Sequence, residues 1–248
     1  MLPSGDGPCV LPLSSGDLHH AIGVLRLSAG AEIAVVEPDG SAWRVRVSDA
    51  GPEGLLAEKA ERLDQTPAHR ITLVQGVARG AKVDLVVEKA TELNIEAIMP
   101  VMTERSVVRL DADKAHARGE RWRRVALAAA KQSQRTTVPK VTDPMALSGA
   151  LPVLATFDVV LVVWEGAGAS GPGIGRALDE AGATPASRIA LVVGPEGGLS
   201  AEEVRALVAS GGRAVTLGDT VLRSETAGIV AASLCVYELG GLGGRPRG

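Results

Sequence analysis

The stretch that decides the fold runs from Arg188 to Glu203 and reads RIALVVGPEGGLSAEE. Residues 189–193 form an unbroken apolar run, which is typical of a strand buried on both faces. A glycine-rich loop follows, and Ser200 with Glu203 three residues later is the pattern of a helix capping box. A buried strand that leads through a short loop into a helix indicates an α/β protein with a parallel sheet.

The same alternation of strand and helix continues in both directions along the chain. Apolar runs predict further strands at 71–77, 95–101, 159–164 and 213–217. Helical spacing predicts a helix from about Gly80, a basic helix to about Gln134, a short one at 174–181 and a final apolar one through Val236. Asn94 is expected to end the first of these helices in the role often taken by glycine. This region is therefore expected to form a parallel sheet covered by helices on both faces.

The N-terminal part of the chain has a different pattern. Residues 31–48 predict a β-hairpin around Pro38-Asp39-Gly40, because apolar residues alternate with charged ones in its second half. The segment LLAEKAERL at 55–63 fits neither a helix nor a strand clearly. We place the domain boundary near Thr66-Pro67, which gives an N-terminal domain over 1–67 and a C-terminal domain over 68–248.

Composition restricts the class of protein. With 248 residues, 46% of them hydrophobic, the chain can bury a sizeable core. No apolar run reaches the about 20 residues that cross a bilayer, and MLPSGDGPCV does not resemble a signal peptide, so we expect a cytoplasmic protein without membrane association. Cys9 and Cys235 have no nearby CxxC or His partner, so we expect neither a metal site nor a disulfide framework.

One segment departs from the overall net charge of -3. From Lys114 to Lys140 there are eight basic residues and a single acid, Glu120, a local excess of seven positive charges. Such a stretch can contact RNA phosphates, although a solvated helix face is the alternative. The residues that we expect at this RNA interface are Arg121, Arg124, Lys131 and Arg135. Since the chain has only three Trp, one Tyr and one Phe, RNA recognition would rest on charge and shape.

Two glycine-bearing segments are candidates for ligand binding. GAGASG at 166–171 satisfies the dinucleotide pattern GxGxxG, but the acid expected about 20 residues later is missing, because the next strand runs into Gly194 and Pro195. GPEGGLS at 194–200 follows a strand at the sheet edge where α/β proteins bind ligands, and its glycines allow close backbone approach. No Lys follows, which excludes a nucleotide P-loop and leaves an ordinary strand-to-helix turn as the alternative.

A third segment, LGDTVLRSETA at 217–227, precedes the final apolar helix. Ser224 or Thr226 is a candidate helix cap, and Glu225 suits the positive end of the helix dipole. Arg223 opposes that dipole and therefore needs another partner, for which a ligand is one possibility.

These motifs resemble one known family. GPEGGLSAEE and LGDTVLRSETA, with GAKVDLVVEKATELNIEAIMPVMTERSVV at 80–108 and KQSQRTTVP at 131–139, are similar to the ribosomal RNA small-subunit methyltransferase E family of the SPOUT superfamily. The similarity runs from about His19 to Tyr237, and Ser224 stands where the family usually has Thr. It implies an N-terminal PUA-like β-barrel, a C-terminal α/β domain with a trefoil knot, and a homodimer.

The resemblance also implies a function and a site. The expected activity is methylation of a uridine at ring N3 in the decoding region of 16S ribosomal RNA, with S-adenosylmethionine as cofactor. The residues implied to line the cofactor pocket are Glu165, Gly194, Glu196, Gly197, Gly198, Leu217, Gly218 and Leu222. Arg223 is our candidate for stabilising the uracil anion, and Glu225 is a candidate general base.

Three alternatives remain open. The closest is a related knotted enzyme that methylates the ribose 2′-hydroxyl. A nicotinamide-dependent oxidoreductase would use the glycines of 166–171. An RNA-binding module without catalysis would explain the β domain and the basic helix, but it leaves both glycine-bearing loops without a purpose.

Overall fold

The computed structural model describes residues 7–36, 41–51, 54–63, 69–168 and 170–244. The chain divides into two compact units, 1–66 and 67–248. The turn predicted at Pro38-Asp39-Gly40 lies outside the described residues. Within the described segments, no helix is long and apolar enough to span a membrane.

The described part of the first unit forms a four-stranded antiparallel sheet in the order β1-β4-β3-β2. Its elements are β1 (Cys9–Val10), α1 (Ser15–His19), a π-helical turn (His20–Val24), β2 (Glu32–Val36), β3 (Ala42–Gly51) and β4 (Gly54–Arg62). The antiparallel strands predicted within 31–48 are confirmed as β2 and β3, with Glu32 opposite Arg46. The ambiguous segment at 55–63 is largely strand β4, because Leu55 and Ala57 alternate into the core of this unit.

The second unit alternates strands and helices, as predicted. Its strands are β5 (Arg70–Gly76), β6 (Ala97–Met102), β7 (Lys140–Val141), β8 (Met145–Ala146), β9 (Val159–Val163), β10 (Arg188–Val193) and β11 (Arg213–Val215). Its helices are α2 (Lys82–Glu92), α3 (Ala112–Gln132), α4 (Leu147–Leu154), α5 (Ile174–Glu180), α6 (Ala201–Ala209) and α7 (Ser224–Glu238), with a 3-10 turn at Glu165–Ala167. The short helix α4, which contains Pro152, was not predicted.

The sheet of the second unit has the order β11-β9-β10-β5-β6-β7, with β8 also beside β6, and all these pairs are parallel. Its two faces are both buried. In β10, Ile189 and Leu191 belong to the core beneath α2, α3, α5 and α7, whereas Ala190 and Val192 belong to the core beneath α4 and α6. The fold class is therefore confirmed: a parallel α/β domain follows an antiparallel β domain.

Two local predictions about helix ends are also confirmed. Asn94, the residue after the C-cap Leu93 of α2, has φ +61°, the left-handed conformation that terminates a helix. Ser200 and Glu203 form the capping box of α6: the Glu203 amide donates to Ser200 Oγ at 3.2 Å, and the Ser200 amide donates to Glu203 Oε2 at 2.9 Å.

The parallel topology positions the functional loops. Because the strands run in one direction, the loops after β5, β6, β9, β10 and β11 meet at one edge of the sheet. β9 lies between β10 and β11 in the sheet. After β10 the chain therefore passes β9 to form β11, and it then returns to begin α7 beside the end of β10. There the Ser224 hydroxyl donates a hydrogen bond of 2.8 Å to the Gly194 carbonyl. This return is the place where the family resemblance implies the knot.

Candidate functional site

A cavity of about 590 Å³ opens at this edge between the loops that follow β9, β10 and β11. All eight residues predicted to hold a cofactor line it: Glu165, Gly194, Glu196, Gly197, Gly198, Leu217, Gly218 and Leu222. Val163, Val193 and Ala227 add apolar surface to its wall. The structure therefore brings together residues that are more than 50 positions apart in the sequence.

Glycine is needed in the β10–α6 loop for close packing. A Cβ at Gly194 would lie 2.8 Å from the carbonyl carbon of Gly198 and 2.8 Å from the Leu199 nitrogen, so no larger residue fits there. Gly198 adopts φ +68°, which favours glycine for a different reason. The loop thus presents backbone groups to the cavity, with few side chains in between.

Glu196 is held by the loop that follows β5. Its Oε1 accepts hydrogen bonds from the Arg79 amide at 3.1 Å and from Lys82 Nζ at 3.0 Å. Partial burial works against the charged carboxylate, but hydrogen bonds from backbone amides and from Lys82 outweigh it, and the pKa of Glu196 lies below its usual value. The carboxylate is thus ionised at neutral pH and links the two loops.

The two predicted catalytic residues are placed differently. Arg223 precedes α7, lines the cavity and is exposed, and its side chain makes no hydrogen bond or ion pair with the described residues. Glu225 is not part of the cavity wall. Its Oε2 lies 3.7 Å from Lys82 Nζ and is buried without a hydrogen-bond partner among the described residues. Lys82 itself lines the cavity, and our sequence analysis did not single it out.

Ser224 does not cap α7, contrary to one of our interpretations. It is the first residue of the helix, and its buried hydroxyl donates to the Gly194 carbonyl and accepts from Gln75 Nε2 at 3.0 Å. Gln75, at the end of β5, is 1% exposed and was also missed. The available signal was a lone polar side chain inside the apolar run ITLVQGV, since buried polar groups need partners.

Helix α3 carries much of the basic stretch, but several of its cations are paired within the protein. Arg121 forms an ion pair with Asp84, and Arg123 pairs with Glu120 and Asp143. Arg124 is exposed, with its Nε directed at the Glu120 carbonyl, and Lys131 is also exposed. Arg121, Arg124 and Lys131 thus lie on the surface of the helix.

Arg135 requires a correction, because its guanidinium is engaged in holding the end of α2. It donates to the Thr91 carbonyl at 2.7 Å and to the Ile95 carbonyl at 3.2 and 3.3 Å, and also to Thr137. Burial lowers the pKa of Arg135 to about 10, so the group remains protonated at neutral pH. An RNA phosphate would have to displace these internal contacts, so we no longer assign Arg135 to the RNA interface.

The glycines of 166–171 do not form a dinucleotide-binding turn. β9 ends at Val163 and is followed by the 3-10 turn at Glu165–Ala167, and α5 begins only at Ile174. In a dinucleotide fingerprint the glycines lie in the tight turn that leads from the strand into the first turn of the helix. Here a 3-10 turn and further residues separate β9 from α5, so the geometry disfavours the oxidoreductase alternative. Among the residues described, no cluster of three or more His, Cys, Asp or Glu is arranged to hold a metal ion.

Comparison with known proteins identifies the class of this fold and site. Residues 64–236 match the family of RNA methyltransferase domains, and residues 13–59 match the PUA domain of RNA methyltransferases. The chain is 30% identical to ribosomal RNA small subunit methyltransferase E of Bacillus subtilis, over 91% of this chain and 89% of that protein. It is 35% identical to the protein of the same name from Mycobacterium bovis, over 86% and 80% of the two chains.

A solved structure shows the same relationship. The ribosomal RNA small subunit methyltransferase E of Neisseria gonorrhoeae, bound to S-adenosyl methionine, superposes with a TM-score of 0.74 at 28% identity, covering 96% of this chain and 95% of that one. The chain belongs to the ribosomal RNA small subunit methyltransferase E family.

Proposed function

We propose that this protein transfers a methyl group from S-adenosylmethionine to ring N3 of a uridine in 16S ribosomal RNA. One observation supports this function above others. The eight residues that the family pattern assigns to the cofactor line a single cavity at the carboxyl edge of the sheet, in a chain that belongs to this family.

The chemistry of the cavity suits the proposed cofactor. Backbone groups of the Gly194–Gly198 loop can hydrogen-bond an adenine, and Leu217, Leu222 and Val163 provide apolar surface for its ring. Glu165 supplies a carboxylate in the wall, which favours a cationic ligand. When bound, S-adenosylmethionine supplies the electrophilic methyl group, so the protein has only to bind, align and assist proton loss.

Proton loss from uracil is the chemical difficulty. N3 carries a proton at neutral pH and must lose it as it attacks, so a cation near the developing anion lowers the barrier. Arg223 is suited to this role, because it lines the cavity and its charge is not neutralised by a described protein group. Glu225 remains our candidate base, although its position beside Lys82 and outside the cavity wall equally suits a role in orienting Lys82.

The proposal extends to partners and assembly. We assign the PUA-like domain over 1–67 and the surface of α3 at Arg121, Arg124 and Lys131 to binding of the 16S ribosomal RNA, and the domain over 68–248 to catalysis.

We further propose a cytoplasmic homodimer. It is supported by an apolar stripe on α7, where Leu234 is 40% exposed and Tyr237 is 49% exposed three residues further on.

Product analysis tests the proposed function. Small ribosomal subunits that lack the modification are incubated with the protein and S-adenosylmethionine, and their nucleosides are separated and identified by mass spectrometry. We expect 3-methyluridine in the 16S RNA. A 2′-O-methylated nucleoside would instead establish the ribose methyltransferase alternative, and the absence of any methylated product would overturn methyl transfer itself.

A further inference from the structure

The edge that holds the cavity has two halves of different charge. The strand order places the loops after β9 and β11 on one side of β10 and the loops after β5 and β6 on the other. On the first side, Glu165 and Asp219 line the cavity, and the two loops contain no Lys or Arg before Arg223, the last residue of the loop between β11 and α7. This half of the edge is acidic.

The opposite half carries the cations. Arg79 and Lys82 follow β5, and Arg105 and Arg109 follow β6. Acidic residues also occur there, including Glu104, which is exposed beside Arg105. The arginines still outnumber the acids on the two loops that approach the cavity.

Two of these arginines adjoin the glycine loop directly. The Arg79 amide donates to Glu196, while its side chain is exposed and makes no hydrogen bond or ion pair with the described residues. Arg105 Nη1 donates to the Gly197 carbonyl at 3.2 Å, and its own Cβ would lie 3.0 Å from a Cβ at Gly197. Both therefore lie beside the wall of the cavity.

Arg223 belongs to the same side of the cavity. The hydrogen bond between Ser224 and Gln75 fixes the start of α7 against the end of β5. The two acids nearest to this point, Glu196 and Glu225, face the Lys82 ammonium at 3.0 and 3.7 Å, and neither forms an ion pair with an arginine among the described residues. Three arginines therefore lie on the β5 side of the cavity, with Arg223 in its wall and Arg79 and Arg105 beside it.

We infer that Arg79 and Arg105, on the same side of the cavity as Arg223, form one surface, the arginine rim, which holds the phosphate backbone of the RNA segment that enters the cavity. This inference rests on the proposed function and adds where the substrate approaches. A polyanion is attracted to the arginine side. S-adenosylmethionine has two positive groups, a sulfonium and an ammonium, and one negative carboxylate. Its net charge is therefore positive and favours the acidic half of the edge. The two substrates are thereby directed to opposite sides of one cavity.

The test compares charge removal on the two edges of the same sheet. Arg79→Ala, alone and combined with Arg105→Ala, is compared with Arg213→Ala, which removes an exposed arginine at the start of β11, on the opposite edge. Binding to small subunits that lack the modification is measured over a range of salt concentrations, and S-adenosylmethionine affinity is measured by calorimetry. Since the Arg79 side chain has no described partner, this variant is expected to fold normally.

If the rim contacts phosphates, the decrease of log affinity with log salt becomes shallower, by about 1 in slope for each arginine removed. Cofactor affinity of Arg79→Ala stays at the native value, and Arg213→Ala keeps the native slope. Native-like slopes in both rim variants would overturn the rim while leaving the proposed function intact. If the native protein forms no 3-methyluridine, the proposed function fails, whatever slopes the variants show.

Discussion

Single buried side chains hold the loops around the cavity, and the Ser224 hydroxyl is a clear case. Ser224→Ala removes the donor to the buried Gly194 carbonyl and leaves Gln75 Nε2 with only its hydrogen bond of 3.4 Å to the Gly76 carbonyl. We expect the variant to lose about 1–3 kcal/mol of unfolding free energy, the usual cost of unsatisfied buried polar groups. Because Gly194 lines the cavity, cofactor affinity should also fall. Chemical denaturation and calorimetry measure the two effects.

Ser233→Ala is the matched control for this prediction. The Ser233 hydroxyl lies on the same helix but donates to the Ile229 carbonyl, an acceptor within its own helix. Its removal should change stability by less than about 0.5 kcal/mol and leave cofactor affinity unchanged. Equal effects of the two substitutions would show that the link between α7 and β10 has no special role.

The charge of Arg223 leads to a kinetic prediction. If it stabilises the uracil anion, Arg223→Ala should lower the single-turnover methylation rate by about 100–1,000-fold, the scale for deleting one preorganised charge-stabilising donor. Affinities for RNA and cofactor should fall far less. Arg223→Lys should restore part of the rate, because Lys keeps the charge and loses the planar fork. A native rate for Arg223→Ala at saturation with both substrates would contradict the catalytic role.

At the scale of elements, the end of α2 depends on a residue from beyond α3. Arg135 donates to the carbonyls of Thr91 and Ile95, where a cation also complements the negative end of the helix dipole. We expect Arg135→Ala to cost about 1–3 kcal/mol, and in a protein of this size each kcal/mol lowers the melting temperature by about 2–4 °C. Arg135→Lys should rescue little of this loss, since one ammonium cannot reproduce the fork.

Arg124→Ala, on α3, is the control for the predicted stability loss of Arg135→Ala. The Arg124 side chain is exposed, and its only described hydrogen bond is made at 3.4 Å to a carbonyl of its own helix, so thermal unfolding should be close to native. The role of Arg135 in the fold would be refuted if its Ala variant melted at the native temperature.

For the whole molecule, the proposed dimer has a direct test. Val230, Leu234 and Tyr237 follow one another at spacings of four and three residues and therefore share one face of α7. Placing a charge there by Leu234→Glu should convert the dimer to a monomer in light scattering. Leu127→Glu changes a leucine of similar exposure, 44%, on α3 and should leave the dimer intact. A native protein that is monomeric and active would contradict the proposed assembly.

The sequence by itself determined the features that depend on neighbouring residues. The apolar run 189–193 is a strand buried on both faces, Ser200 and Glu203 form a capping box, and Asn94 ends α2 in a left-handed conformation. Each follows from interactions within a few positions of the chain, which a local pattern records. The motifs also identified the family, because their order and length are specific to it.

Only the tertiary structure decided how individual polar side chains are used. The basic pattern around Arg135 suggested RNA binding, but the side chain binds carbonyls 40 and 44 positions earlier in the chain. Ser224 looked like a helix cap, but it bonds Gln75, 149 positions away. A buried donor takes whichever acceptor the packing brings within reach. That choice depends on how β5, β10 and α7 meet, which no local spacing in the sequence records.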